Sequence, residues 1–144
     1  MRTHITVIAM TIACSSMAAC ATQARSPEPV PVDRVECARC RMLISTETGS
    51  AQIVPARGDT RFYDDLGCLA ADWAAHQGEA TAFVRTGQAW FDAGAASFAQ
   101  PPAARTAMGS GFVAFARPED ARAADRAGRA LGWDDVVRLV KEMS

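Results

Sequence analysis

The chain has no surplus of charge of either sign: 15 Lys and Arg stand against 16 Asp and Glu in 144 residues. Without a basic field it offers no general hold on nucleic acid or an anionic membrane surface, and small partners fit better than polyanions. The apolar run at residues 5–13 is nine residues long, against the roughly 20 that a membrane-spanning helix needs, which argues against a transmembrane anchor. Histidine is scarce, with two in the chain, and neither a second Cys-x-x-Cys nor a paired His is present to complete a zinc site. No Ser/His/Asp or paired-carboxylate arrangement emerges either, so the chain reads as a binding or accessory protein rather than an enzyme.

What is present begins with an export signal. Arg2 supplies the positive start, residues 5–13 the apolar stretch, and Ala18-Ala19-Cys20 a small-residue processing site. Residues 1–19 are expected to be a lipoprotein signal peptide, with Cys20 the lipidated residue; Cys14 has a poorer approach in residues 11–13. Residues 20–34 carry Pro27, Pro29 and Pro31 among polar neighbours. Proline at alternate positions favours extended polyproline II, so this stretch is expected to be a tether. Residues 35–144 remain for one compact domain with a sizeable core.

Within that domain, Met42-Leu43-Ile44, Ala51-Gln52-Ile53-Val54 and Thr60-Arg61-Phe62-Tyr63 read as short strands separated by Thr48-Gly49-Ser50 and Gly58-Asp59. Asp64 or Asp65 can cap a helix over 66–77 that Gly78 ends, and Ala82-Phe83-Val84 follows as a strand. A similar order recurs further on: Ala89-Trp90-Phe91 as a strand, an irregular stretch at 95–100, an apolar strand at 111–116, and a helix opened by Pro118 with Glu119 and Asp120. Asp134 can cap a last helix whose Val136, Val137, Val140 and Met143 repeat at helical spacing. The expected class is α+β.

The chemistry concentrates in Cys37-Ala38-Arg39-Cys40-Arg41-Met42, two thiols and a thioether in six residues. With Cys14 and Cys20 set aside, Cys37, Cys40 and Cys68 leave an odd number of thiols in an exported domain, so at least one is unpaired and a ligand candidate. Soft sulfur donors select Cu(I), and one thiolate with two neutral thioethers cancels its charge. If residues 40–42 are extended, Cys40 and Met42 share a strand face. Met108, just before two glycines that permit unusual backbone angles and close approach in Thr106-Ala107-Met108-Gly109-Ser110-Gly111, is the candidate third ligand. Met143 lies on the apolar stripe of the last helix. Cys68 reads as core packing, His76 as a partner for terminal helix carbonyls, and Asp64 and Asp65 as caps or solvated acids.

From Cys37 onward the chain resembles the NosL family, copper-binding accessory lipoproteins of nitrous oxide reductase. The residues that carry the resemblance are Cys37-Ala38-Arg39-Cys40-Arg41-Met42-Leu43-Ile44, Arg61-Phe62-Tyr63-Asp64-Asp65-Leu66-Gly67-Cys68-Leu69, Ala89-Trp90-Phe91-Asp92-Ala93 and Thr106-Ala107-Met108-Gly109-Ser110-Gly111-Phe112-Val113-Ala114-Phe115. The resemblance implies a domain of two related β-β-α-β halves in a periplasmic, lipid-anchored protein. It further implies that one Cu(I) is held by Cys40, Met42 and Met108 and delivered from a copper donor protein to nitrous oxide reductase or its maturation machinery. Arg41 stands where the family usually has glycine. Cys37 is then an auxiliary thiol that receives or hands over the ion. Two other functions fit the same residues: a thiol-disulfide oxidoreductase using Cys37 and Cys40, and a lipoprotein adaptor with structural cysteines.

Overall fold

The computed structural model describes residues 25–76 and 79–143. In chain order its elements are β1 (Ala51–Pro55), β2 (Arg61–Tyr63), α1 (Leu66–Trp73), β3 (Ala80–Thr86), β4 (Ala89–Asp92), β5 (Ser97–Ala99), β6 (Val113–Phe115), α2 (Pro118–Ala124) and α3 (Trp133–Met143). The class is α+β, as expected. Among the described residues no helix is long and apolar enough to cross a membrane. Cys20 and the signal segment, together with Gln77 and Gly78, lie outside the described residues.

One antiparallel sheet has the order β2-β1-β3-β4, with Ala51 opposite Val84 and Ile53 opposite Ala82. Those residues face α1 and the main core, as the two-residue strand period requires. Gln52 points to the opposite face and is also fully buried. Its amide is satisfied by the backbone of Glu28, which donates to Oε1 at 2.9 Å and accepts from Nε2 at 2.9 Å. Thr60 donates to the Glu28 carboxylate, and Val30 is buried in the core. Residues 25–34, expected to be a free tether, are therefore free of helix and strand but docked on the domain. A side-chain amide that offers both a donor and an acceptor substitutes for a neighbouring strand.

The second half repeats the order of the first in shortened form. In the first half β1 lies between β2 and β3; in the second, β5 lies between β6 and the single residue Leu131. Phe98 and Leu131 exchange both backbone bonds, at 2.9 and 2.8 Å. Leu131 is the closing strand of the second β-β-α-β half, reduced to one bridge. Two expectations are corrected here. The stretch at 95–100 is not irregular, because Ser97–Ala99 pairs with Val113–Phe115, and Ala89-Trp90-Phe91 joins the first sheet beside β3 rather than opening the second half.

Helix starts follow local chemistry. Asp65 is the N-cap of α1, accepting from the Gly67 amide at 2.6 Å. The α-helix stops at Trp73, short of the expected 77, and turns through His76, whose Nδ1 contacts the Asp72 carbonyl. Pro118, Glu119 and Asp120 open α2 as expected. In α3 the residue that reaches back is Asp135, not Asp134: its carboxylate accepts from the Gly132 amide at 3.1 Å, the acidic half of a capping box. Trp133 then packs edge-on to Trp73 and against Phe98, joining α3 to α1 and to the second sheet.

Candidate metal centre

Residues 35–44 are a tight hairpin rather than a strand. Ile44 donates to the Val35 carbonyl, Glu36 bridges Leu43, and Cys37 donates to the Met42 carbonyl at 2.8 Å. The turn closes with Arg41 donating to the Cys37 carbonyl, and Arg41 has φ +65°. That left-handed conformation costs a residue with a Cβ roughly 1–2 kcal/mol, which is a physical reason for glycine to be preferred at this position. An exposed ion pair to Glu36 at 2.9 Å accompanies Arg41. Because the chain reverses here, the expected extended pairing of Cys40 with Met42 on one strand face does not occur. Met42 is exposed, whereas Cys37 is fully buried and Cys40 partly so.

The hairpin is fastened to β2 by the Ala38 amide, which donates to the Phe62 carbonyl at 2.8 Å. The chain leaving β2 then supplies Asp64, and the first turn of α1 supplies Cys68. The ligand atoms of Cys37, Cys40, Asp64 and Cys68 all lie within 4.8 Å of one another, a set that could hold a metal ion. The Cys40 thiol is 3.7 Å from Asp64 Oδ1 and donates to it.

Proton affinities within the cluster are sharply split. Cys37 is pulled down to about 4, first because the Cys68 thiol donates to it, then by the backbone amides of Cys40, Asp64 and Arg39, against the opposing cost of burial. The hydrogen bond to Cys37, burial and then the charge on Cys37 push Cys68 up. Burial raises Cys40, and Cys37 adds to that rise. Asp64 is pushed up to about 6 by burial and by Cys37. The cluster therefore favours the thiolate at Cys37, while Cys40 and Cys68 hold their protons more tightly than free thiols do.

The sequence motif finds both Cys37 and Cys40; Cys37, the auxiliary thiol of that reading, is the deeper of the two. Cys68 and Asp64 were read as core and cap. The available signal was their spacing of four residues around an Asp65 that already caps the helix, leaving Asp64 free. These two residues also supply the second ligand pair whose absence from the sequence pattern argued against zinc.

Met108 lies in the loop clamped to the start of α1. Its amide donates to Asp65 Oδ2 at 2.9 Å. A Cβ on Gly67 would come within 2.6 Å of the Ser110 Cβ, so only glycine permits this approach of loop and helix. Met108 and Cys68 share the wall of an open surface pocket of about 260 Å³. On the other side, Asp64 lines a larger groove of about 580 Å³ between the two halves, with Leu43, Arg85 and Phe112.

Scans of the chain against protein-family models, curated proteins and solved structures found no match.

Proposed function

We propose that the protein is a Cu(I) carrier, an accessory lipoprotein rather than an enzyme, that works outside the cytoplasm and helps assemble the copper centres of nitrous oxide reductase. The observation that carries the metal reading is the convergence of three thiols and a carboxylate within 4.8 Å. Cu(I) is the soft, singly charged ion that thiolate sulfur selects, and the Cys37 thiolate alone already cancels its charge. In this reading Cys37, Cys40 and Cys68 retain the ion, while the exposed thioethers Met42 and Met108 exchange it with a donor and a recipient. The client rests on the NosL resemblance alone, while export and the lipid anchor at Cys20 rest also on the signal-like residues 1–20. Anaerobic titration of the reduced protein against a Cu(I) chelator tests it. One ion per chain is expected, with Cys37→Ser and Cys40→Ser each losing more than the roughly 10–100-fold that loss of an outer partner costs a metal site. Unchanged affinity in the double variant sinks the proposal.

A second reading is favoured by Asp64, whose hard oxygen completes a four-donor set that suits tetrahedral Zn(II). Asp64→Asn separates the two: it lowers Zn(II) affinity and leaves Cu(I) affinity nearly unchanged if copper is the cargo. The oxidoreductase alternative meets a difficulty of placement. An exchange catalyst needs its acidic thiol exposed, and here the acidic thiol is the buried one.

A further inference from the structure

The methionines among the described residues are Met42, Met108 and Met143, and their exposures are 51%, 48% and 62%. Apart from Leu43 they are the large hydrophobic residues left exposed. A methionine that fills a core is buried; none of these does so. Met143 was expected on the buried stripe of α3, yet that stripe buries Val136 and Val140 and leaves Met143 outside.

Met143 shares a pocket with Met108 and Cys68, the opening of about 260 Å³ described above. Three sulfur-bearing side chains from three separate elements thus line one surface depression: Cys68 from α1, Met108 from the loop at 106–110, and Met143 from the end of α3. All three positions are held. The loop is clamped by Asp65 and by the Gly67–Ser110 approach, and α3 is packed on α1 through Trp133 and Trp73 at its start and buries Val140 three residues before Met143. Cys68 belongs both to this depression and to the buried cluster, so it is the one side chain that faces both.

We propose that Met108 and Met143 form an outer thioether site that takes up a soft monovalent ion at the surface and passes it through Cys68 to Cys37 and Cys40. The inference rests on the Cu(I)-carrier reading and adds to it a landing place and a route. Thioethers are neutral and carry no proton to displace, so they bind weakly and exchange readily; thiolates bind the same ion more tightly. Affinity then rises from the surface inward; Cys68 and Cys40 each release a thiol proton to water on taking the ion, and the ion moves without any change of oxidation state.

The test follows Cu(I) transfer from a chromophoric chelator complex to the reduced full-length chain, recording both rate and end point. Met143→Leu and Met108→Leu keep the apolar volume. Each is expected to slow loading about tenfold, the low end of what loss of one supporting group costs a metal site, while the end-point affinity of Met143→Leu stays within about twofold of the parent. In parallel, Ag(I) added to a Cys37→Ser, Cys40→Ser variant should shift the ε-methyl NMR signals of Met108 and Met143 together. Unchanged loading in the Met108→Leu, Met143→Leu double variant, with unmoved methyl signals, overturns the outer site and leaves the thiol cluster standing. A loss of end-point affinity equal to the loss of rate also overturns it, because both sulfurs would then belong to the tight site. A parent chain that takes no Cu(I) from the chelator overturns the carrier reading itself.

Discussion

At the residue scale, burial and acidity are decoupled among the thiols, and reactivity follows from that. A neutral alkylating agent needs both a thiolate and access to it. Cys37 has the first and lacks the second, whereas Cys40 has partial access and a raised proton affinity. Native protein at pH 7 should therefore label slowly and at Cys40 first, faster as the pH rises, with Cys37 and Cys68 reacting only on unfolding; peptide mass spectrometry after timed quenching reads this, and first labelling of Cys37 would contradict it. Asp65 makes a second residue-scale prediction. Burial alone would raise its carboxyl, but hydrogen bonds from Ser110, from the Met108 amide and from Gly67 outweigh burial and hold it below the usual range. A folded value below the unfolded one means that the stabilisation is fully present above the ordinary carboxylate value of about 4 and is lost as the pH falls through the folded value. Asp65→Ala should cost about 2 kcal/mol at pH 7, from a lost cap and a second unpaired amide, and urea midpoints of parent and variant should converge as the pH is lowered below 4, by the same linkage. Part of this is legible in the sequence: the Cys-x-x-Cys-x-Met string marks two of the thiols, though its spacing suggests an extended strand where the chain forms a hairpin, and the pair of aspartates marks the helix start. Cys68 and Asp64 were not, because a buried cysteine and an acid before a helix each have an adequate local explanation, and only the tertiary approach of the hairpin to α1 brings them to the thiols.

At the scale of elements, α1, β1, β2 and β3 were legible because apolar period, turn residues and caps agree in them. The second half was harder. β5 contains one large apolar residue, Phe98, between small ones, and its extended backbone is held by pairing with β6 and Leu131 rather than by its own pattern. Leu131 cannot be read as a strand at all, since one bridge leaves no periodicity to see. The joint between α1, α3 and β5 is Trp133, whose rings meet Trp73 at 6.3 Å and Phe98 at 5.6 Å between centroids. Its indole Nε1 is buried with no hydrogen-bond partner among the described residues. Leaving a donor unpaired is costly, so Trp133→Phe should change stability by less than about 1.5 kcal/mol as the removed penalty offsets the smaller ring. Trp133→Ala should cost about 3–5 kcal/mol, and chemical denaturation of the two variants separates packing from polarity.

At the scale of the whole molecule, the domain is larger than its sequence pattern indicated, because the proline-rich stretch from residue 25 belongs to it. Proline spacing announces extension but says nothing of what the extended chain lies against; the partner is Gln52, an uncharged polar residue in an otherwise apolar strand. Gln52→Leu removes the donor and acceptor that Glu28 uses, and trypsin should then cleave after Arg34 at a faster rate while the order of thiol labelling stays that of the parent. Cleavage at the parent rate would show that Val30 and the neighbouring backbone bonds suffice. The Gly67–Ser110 approach has a mechanical consequence. With hydrogen in place of a methyl, the helix carrying Cys68 and the loop carrying Met108 touch backbone to side chain, and no slack remains between them. Such a joint behaves as a fixed anvil: under the carrier reading, any motion that accompanies uptake or release is left to the hairpin bearing Cys37 and Cys40, which is tied to its neighbours by a few backbone hydrogen bonds.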